Sequence, residues 1–310
     1  MDLKNIDYLF ALEECGNVSA ASNKLYISQP TLSLFLKKYE EYLGYKIFIR
    51  TKEGLKLTEE GQLFLDTARQ ILRLEEDMKA RLADTSDKMT GTITFALSSQ
   101  RALSVLPLVL PKFTRQYPNV TMEIVEGHTK KLEYLLQKGN ISLAFLVPPL
   151  NNPMLPCEVF MEEEMFLAVP KGMEMGLEVH QNQGRIPWVD LGHSLERHLF
   201  ILADPSYRTR DFTNEVFQRY QFVPSRTMTF GNINLLAKLA SSGMGITILP
   251  ETFIDPIYNL DYYSIGEKGC FRSLALGYPP FGYRSAAVRK FAEMLTQELC
   301  AKHEQLRGKV

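Results

Sequence analysis

The sequence predicts a multidomain protein of α+β and α/β parts: a small helical domain with a two-stranded hairpin, one long helix, and an α/β region of two lobes. Three observations predict this fold class. Short amphipathic helical patterns fill residues 3–43, a helical pattern covers residues 58–88, and strand patterns alternate with helical ones from residue 92 onward. A length of 310 residues suits two or three such parts. The predicted boundaries are 1–58, 59–88 and 89–310, with lobe one at about 91–160 and 267–310 and lobe two at about 161–266.

Two short helices meet across a turn near the N-terminus. After an amphipathic helix over residues 3–15 that ends at Gly16, a second helix runs from 19 to about 25, and a third begins at Ser28. The Ser28 hydroxyl can cap the first turn of the third helix, where Pro30 is tolerated. This pattern is typical of a helix-turn-helix, whose second helix faces base edges in the major groove of DNA. Gln29 has the side chain best suited to a bidentate contact with adenine.

A two-stranded wing and a group of basic residues follow the third helix. Residues 46–50 and 55–57 alternate as two short strands, so Arg50 and Lys52 near their turn can reach the DNA backbone or the minor groove. The net charge of the chain is only −1, but basic residues outnumber acidic ones between 37 and 56. A charge run of this kind is by itself usually a solvated face. Next to a helix-turn-helix, we interpret Lys37 and Lys38 as phosphate contacts.

The long helix predicts a dimer. Thr58 caps its start, Glu59 and Glu60 suit its positive end, and the pattern runs to about residue 88. A small domain cannot bury the whole apolar face of such a helix, so a second copy of the chain is expected to cover it. The alternative is a helix buried in the core of its own chain. The face consists of Phe64, Ala68, Ile71, Leu72, Met78 and Leu82, with Glu75 among them.

Strands and helices alternate after a polar hinge at 84–88. The predicted strands are 92–97, 120–126, 141–146, 165–169, 199–202, 226–230, 246–249 and 272–277, and the helices are 103–117, 130–138, 210–220, 232–242 and 285–302. Such alternation predicts parallel strands in two lobes. The short acidic run Glu162-Glu163-Glu164 is interpreted as solvated.

A small-molecule site is expected where strands end. Ligands of open α/β sheets bind beyond the carboxyl ends of the strands, and free amides at a helix N-terminus attract anions. Taken singly, each candidate residue is equally compatible with an ordinary helix cap. The candidates are Ser98, Ser99, Gln100 and Thr129 in lobe one, and Asp204 and Asn232 in lobe two.

Other classes of protein lack support in the sequence. No apolar run approaches the roughly 20 residues that span a bilayer, and the N-terminus does not resemble a signal peptide, so a cytoplasmic protein without a membrane partner is expected. The scattered Cys15, Cys157, Cys270 and Cys300 predict reduced thiols, while His193 and His198 have the wrong spacing for a zinc helix. We expect no cofactor, no metal and no catalysis.

Four blocks of sequence resemble the DNA-binding domain of LysR-type transcriptional regulators, and the length and layout of the rest resemble that family too. The blocks are Ala11-Leu12-Glu13-Glu14-Cys15-Gly16-Asn17-Val18-Ser19-Ala20-Ala21-Ser22, Ser28-Gln29-Pro30-Thr31-Leu32-Ser33, Leu43-Gly44-Tyr45-Lys46-Ile47-Phe48-Ile49-Arg50 and Leu57-Thr58-Glu59-Glu60-Gly61. The chain departs from the family at Leu34 and Phe35, where Arg and Gln are usual. Base preferences of typical members therefore do not transfer.

The resemblance implies a winged helix-turn-helix on double-stranded operator or promoter DNA. It also implies an effector domain of periplasmic-binding-protein type that binds a small molecule, often a carboxylate, a homodimer or homotetramer, and RNA polymerase as a partner. The expected DNA contacts are Ser28, Gln29, Pro30, Thr31, Ser33, Lys37, Lys38, Arg50 and Lys52. The rival interpretation is a cytosolic ligand-binding or enzymatic domain of the periplasmic-binding type whose N-terminal helices only mediate oligomerisation.

Overall fold

The computed structural model describes residues 5–52, 54–85, 89–182 and 185–307. It divides the chain into two compact units, residues 1–80 and residues 81–310. Each unit is described by itself below.

The first unit is a winged helix-turn-helix, as the sequence predicts. Its elements are α1 (Ile6–Cys15), α2 (Val18–Lys24), α3 (Gln29–Leu43), the antiparallel strands β1 (Phe48–Thr51) and β2 (Gly54–Leu57), and the start of α4 (Glu59–Asp84). Gly16 ends α1 in the left-handed conformation, with φ +64°, which glycine adopts without strain. The second helix starts one residue earlier than predicted because the Asn17 side chain accepts a hydrogen bond from the Ala20 amide at 2.7 Å.

The core of this unit joins all of its helices to the hairpin. Leu9, Leu32 and Leu65 are fully buried in it. Gly61 lets α4 start against the hairpin, because a Cβ atom at this position would lie only 2.1 Å from the Ile47 carbonyl oxygen. The predicted cap of α4 is confirmed, since the Thr58 hydroxyl accepts a hydrogen bond from the Gly61 amide at 2.8 Å.

The long helix α4 runs from Glu59 to Asp84, and residues 86–88 of the predicted helix and hinge lie outside the described residues. Its first turns bury Leu65 and Ala68 in the first unit. Further along the helix, large apolar side chains remain exposed. They are Ile71, Leu74, Met78 and Leu82.

The second unit contains two lobes of strands and helices. In chain order they are β3 (Gly91–Leu97), α5 (Ser99–Gln116), β4 (Val120–Glu126), α6 (Thr129–Lys138), β5 (Leu143–Leu146), β6 (Cys157–Pro170), β7 (His180–Asn182), β8 (Arg185–Val189), β9 (Leu199–Ala203), α7 (Arg208–Arg219), β10 (Arg226–Phe230), α8 (Ile233–Ser241), β11 (Thr247–Pro250), β12 (Leu260–Ile265), β13 (Phe271–Gly277) and α9 (Ala286–Arg307). Short 3₁₀ helices lie at His193–Arg197 and Glu251–Phe253.

One long strand, β6, runs through both lobes. Its residues 157–164 pair with β13, and residues 165–170 pair with β11 and β12. The predicted strand at 165–169 is therefore only the second half of a longer strand. The sheet order is β4-β3-β5-β13-β6-β12-β8-β7, and β9 pairs with β10.

The expectation of parallel strands is correct for part of the sheet. Strands β3, β4 and β5 are parallel, as are β9 and β10, whereas β13 runs antiparallel to β5 and β6. The prediction misses β7, β8 and β12. Helix α5 begins four residues earlier than predicted, because the Ser98 side chain caps it by accepting a hydrogen bond from the Arg101 amide at 3.3 Å.

Candidate nucleic-acid interface and ligand cleft

The N-terminal turn of α3 is exposed. The Ser28 hydroxyl accepts a hydrogen bond from the Thr31 amide at 3.2 Å and lies 2.7 Å from the Thr31 hydroxyl oxygen. Gln29 and Pro30 are also exposed, and Ser33 is half-buried. The cap therefore fixes the backbone of this turn, in which Gln29 is exposed to solvent.

Basic side chains lie along α3 and on the hairpin. Lys37 and Lys38 are exposed two turns beyond the cap, where Lys37 lies 3.8 Å from Glu41. Arg50 is exposed on β1 and Lys52 in the turn that follows it. These positive charges are placed to contact a polyanion, provided that it lies along α3 and the hairpin.

Glu40 of α3 has a structural role that its position among the lysines of residues 37–56 does not indicate. Its buried carboxylate accepts hydrogen bonds from the Ile47 amide at 2.8 Å and the Phe48 amide at 3.1 Å, and it pairs with Lys46 at 2.7 Å. It thereby connects α3 to the hairpin. No pattern in the sequence distinguishes Glu40 from the exposed Glu41 beside it.

A cleft between the two lobes encloses about 510 Å³, open solvent at its mouth included. Three predicted residues, Ser98, Gln100 and Thr129, line it. The other three predicted residues, Ser99, Asp204 and Asn232, lie outside the lining: Asp204 accepts hydrogen bonds from Ser206, and Asn232 caps α8. The remaining lining residues are Arg101, His128, Leu132, Phe145, Val147, Ser206, Tyr207, Arg208, Thr209, Phe253 and Arg272.

Gln100 carries a buried donor in the cleft. The residue is 8% exposed, and within the described part of the chain its side-chain nitrogen Nε2 has no hydrogen-bond partner. Buried polar groups are nearly always paired, and leaving one unpaired costs free energy. A ligand that brings an acceptor to this nitrogen would remove that cost.

Two arginines in the cleft lining share one buried carboxylate. Arg101 and Arg272 both form ion pairs with Glu163, which is fully buried. Burial alone disfavours the ionised carboxylate, but the attraction of the two arginines and hydrogen bonds from Arg101 and Thr252 outweigh it and lower the pKa of Glu163 to about 2. Burial lowers the pKa of Arg272 to about 10, so this guanidinium remains charged at neutral pH. Two positive charges thus face one negative charge.

The interpretation of Glu162-Glu163-Glu164 as a solvated run is wrong for two of its members. Only Glu162 is exposed; Glu163 and Glu164 are buried. Both are part of β6, and the arginines that compensate Glu163 come from distant positions in the chain. Local sequence could not reveal such partners.

The same network and the mouth of the cleft hold the lobes together. Arg272 donates a hydrogen bond to the Thr209 hydroxyl of α7 at 3.3 Å, and Arg101 donates one to Thr252. At the mouth, Arg208 of lobe two donates a hydrogen bond to the Pro149 carbonyl oxygen of lobe one. The rings of His128 and Tyr207 also meet across the lobes, with centroids 5.1 Å apart.

The histidines, cysteines and acidic residues do not form a metal site in the part of the chain that the structure describes. Within the described ranges, no three His, Cys, Asp or Glu side chains are grouped as metal ligands, and no helix has the length and apolar character needed to cross a bilayer. The four cysteines are free thiols. His193 is exposed and lies 2.7 Å from a carboxylate oxygen of Glu196.

Comparison with known proteins finds two family models. The model described as bacterial regulatory helix-turn-helix protein, lysR family, matches residues 3–62, and the model described as LysR substrate binding domain matches residues 86–300. Among curated relatives, the HTH-type transcriptional regulator ClcR of Pseudomonas putida is 28% identical over 81% of this chain and 83% of its own. The uncharacterized HTH-type transcriptional regulator YcgK of Bacillus subtilis is 25% identical over 96% and 95%.

Solved structures share the fold. Full-length OxyR of Pseudomonas aeruginosa, in a variant form, matches with a TM-score of 0.68 and 19% identity over 96% of this chain and 97% of that one. Full-length CbnR in complex with its target DNA matches with a TM-score of 0.52 and 21% identity, covering 96% of this chain and 99% of the other.

Proposed function

The chain belongs to the LysR family of transcriptional regulators, which join a helix-turn-helix DNA-binding domain to an effector-binding domain, and from this membership we propose which residues read DNA and which class of effector controls it. Regulators of this family bind DNA and oligomerise. The observation that carries the proposal is that one chain has two features: an exposed, capped N-terminus of α3 in the first unit, and a cleft lined by arginines in the second unit.

We propose that α3 reads an operator through its first turn. Gln29 would hydrogen-bond an adenine, with Ser28, Pro30, Thr31 and Ser33 close to the bases or to the adjacent phosphates. Lys37, Lys38, Arg50 and Lys52 would contact phosphates and position the helix. This division of roles rests on position: Gln29 and the cations are all exposed, but the glutamine lies at the start of α3, whereas the cations lie further along α3 and on the hairpin.

A comparison of two variants tests the DNA contacts. Gln29→Ala should weaken binding to the DNA upstream of the chain's own gene by about 1–3 kcal/mol, and the loss should map to one base position. Lys52→Ala is the matched contrast, because loss of a phosphate contact should weaken binding to operator and random DNA by equal factors. Fluorescence anisotropy on both duplexes measures these affinities. An equal loss on random DNA for Gln29→Ala would reject base reading by this residue.

We propose that the effector is a small anion, such as a carboxylate, bound in the cleft. Ser98, Gln100 and Thr129 offer donors, and the Arg101–Glu163–Arg272 cluster adds an unbalanced positive charge. A carboxylate would accept from the buried Gln100 amide and balance that charge. In a more closed cleft, Ser99 and Asn232 would join these contacts, whereas Asp204, an acceptor of hydrogen bonds from Ser206, would contact a donor group of the effector and not its carboxylate.

Thermal shift with a panel of small mono- and dicarboxylates tests the effector class. A ligand at about 100 times its Kd should stabilise the protein by about 2.7 kcal/mol and raise its melting temperature. Gln100→Leu should weaken binding about 10- to 100-fold, because it removes a donor to a charged acceptor. Gln116→Leu, at the exposed end of the same helix, should bind like the wild type. Indifference of the wild type to every anion, with a response to a neutral or cationic metabolite, would reject the proposed class.

Pairing of two chains through α4 would couple effector binding to the DNA-binding domains. We propose a homodimer or homotetramer paired through α4, in which effector binding moves the lobes and changes the spacing of the DNA-binding domains and their engagement with RNA polymerase. Because its target is chromosomal DNA, we also propose a cytoplasmic location.

A further inference from the structure

Leu34 is an aliphatic side chain of α3 that does not pack into the core of the first unit, and Tyr42 near the end of the helix is exposed as well. Leu34 is 53% exposed, whereas Ser33 and Phe35 on either side of it are half-buried. Phe35, the next residue, lies against the rings of Tyr8 and Tyr39, with centroid distances of 5.0 and 5.4 Å. Leu34 and Phe35 thus have separate roles: Phe35 packs against the core, and Leu34 faces outward.

Leu34 lies on the solvent-exposed face of the helix. Residues three and four apart share a helix face, so Pro30, Leu34 and Lys37 form one row, with Lys38 next to it. All four side chains are exposed. Leu34 follows Gln29 by five residues, a rise of about 7.5 Å along the helix axis and a turn of about 140° around it.

The chemistry of the row identifies what Leu34 would contact. Leucine offers no donor or acceptor, so it cannot bind a phosphate or the polar edge of a base. In the major groove, the apolar group that a side chain meets is the C5 methyl of thymine. Lys37 and Lys38 would contact phosphates of the DNA backbone, and these contacts would place Leu34 against the base edges.

We propose that Leu34 is a specificity-determining residue that reads a thymine by packing on its 5-methyl group, in the same half-site that Gln29 reads. The inference rests on the proposed placement of α3 in the major groove. It assigns to this chain a preference for thymine at one position of its site.

Removal of single methyl groups from the DNA tests the contact. The full chain is first used to select a binding site from randomised duplexes, and each thymine of the selected half-site is then replaced by deoxyuridine, which lacks only the methyl group. One replacement should weaken wild-type binding about three- to fivefold, the effect expected for one buried methyl group. The Leu34→Ala variant should bind the thymine and uracil duplexes equally well.

Several outcomes separate this inference from its premise. Ile257→Ala, which truncates another exposed aliphatic residue in the second unit, should keep the full uracil effect. A wild type that is indifferent to every replacement, or a uracil effect that persists in Leu34→Ala, would overturn the role of Leu34 while DNA reading stands. A change of oligomeric state in Leu34→Ala without any uracil effect would also overturn it, since a second copy would then cover this residue. Failure of the wild type to select any sequence would overturn the proposed DNA reading itself.

Discussion

Glu163 concentrates the chemistry of the second unit in one side chain. It is fully buried, yet it stays ionised because Arg101 and Arg272 surround it and Thr252 donates a hydrogen bond to it. Removing one partner from a buried ion pair is strongly destabilising, because the remaining charges lose their compensation. In this cluster, loss of the carboxylate would leave two buried guanidinium groups facing each other.

The pKa of Glu163 makes a pH-dependent prediction. Folding lowers this pKa from its ordinary 4.5 to about 2, so its stabilising effect is present above about pH 4.5 and is lost as the pH falls towards 2. Glu163→Gln should reduce the free energy of unfolding by about 3–5 kcal/mol at pH 7 and remove this part of the acid dependence. Urea denaturation at a series of pH values measures both effects. The control is Glu162→Gln, an exposed neighbour that should change stability little; equal stability of Glu163→Gln and wild type would contradict the assigned role.

At the scale of elements, local signals explain which predictions succeed. The Ser28 cap, Gly16 and the Thr58 cap act within their own turns, so sequence alone could place α3, the end of α1 and the start of α4. The sequence predicts only residues 165–169 of β6. The earlier part of the strand contains the charged Glu162 and Glu163, which interrupt an apolar strand pattern.

The cleft was predictable only in part, because some of its residues follow from local signals and others meet only in the folded chain. Ser98 and Thr129 follow strand ends and could be found from the order of the elements. The Arg208 contact with Pro149 and the ion pairs of Glu163 join residues far apart in the sequence. Such contacts depend on the folded chain, and no spacing rule identifies them.

Helix α4 carries a prediction about assembly. Ile71, Leu74, Met78 and Leu82 recur at intervals of three and four residues and are exposed, which is the pattern of a paired helix. The double variant Leu74→Ala and Met78→Ala should weaken self-association more than tenfold, a rough figure from the apolar area lost. Sedimentation velocity over a range of protein concentrations measures it. Glu76→Ala, exposed on another side of the helix, should associate normally, and an unchanged dimer in the double variant would mean that copies pair elsewhere.

At the scale of the whole molecule, the lobes are joined by elements that could transmit a change in the cleft. Strand β6 belongs to both lobes, and Arg101 of lobe one and Thr209 of lobe two belong to the same polar network. The end of α4 is attached to lobe one, because Asp84 accepts hydrogen bonds from the Tyr283 hydroxyl at 2.8 Å and the Ala286 amide at 2.7 Å. A movement of the lobes would therefore act on the last turn of α4.

The central claim is that the exposed face of α3 reads a DNA sequence, and the preference for operator over random DNA, measured over a range of salt concentrations, tests it most directly. The full chain is titrated onto its selected operator and onto random duplex between 50 and 200 mM salt. The logarithm of the operator affinity should fall linearly with the logarithm of the salt concentration, while the operator stays at least about a thousandfold preferred over random DNA. Equal affinity for both duplexes, or an operator affinity that does not change with salt, would contradict the claim.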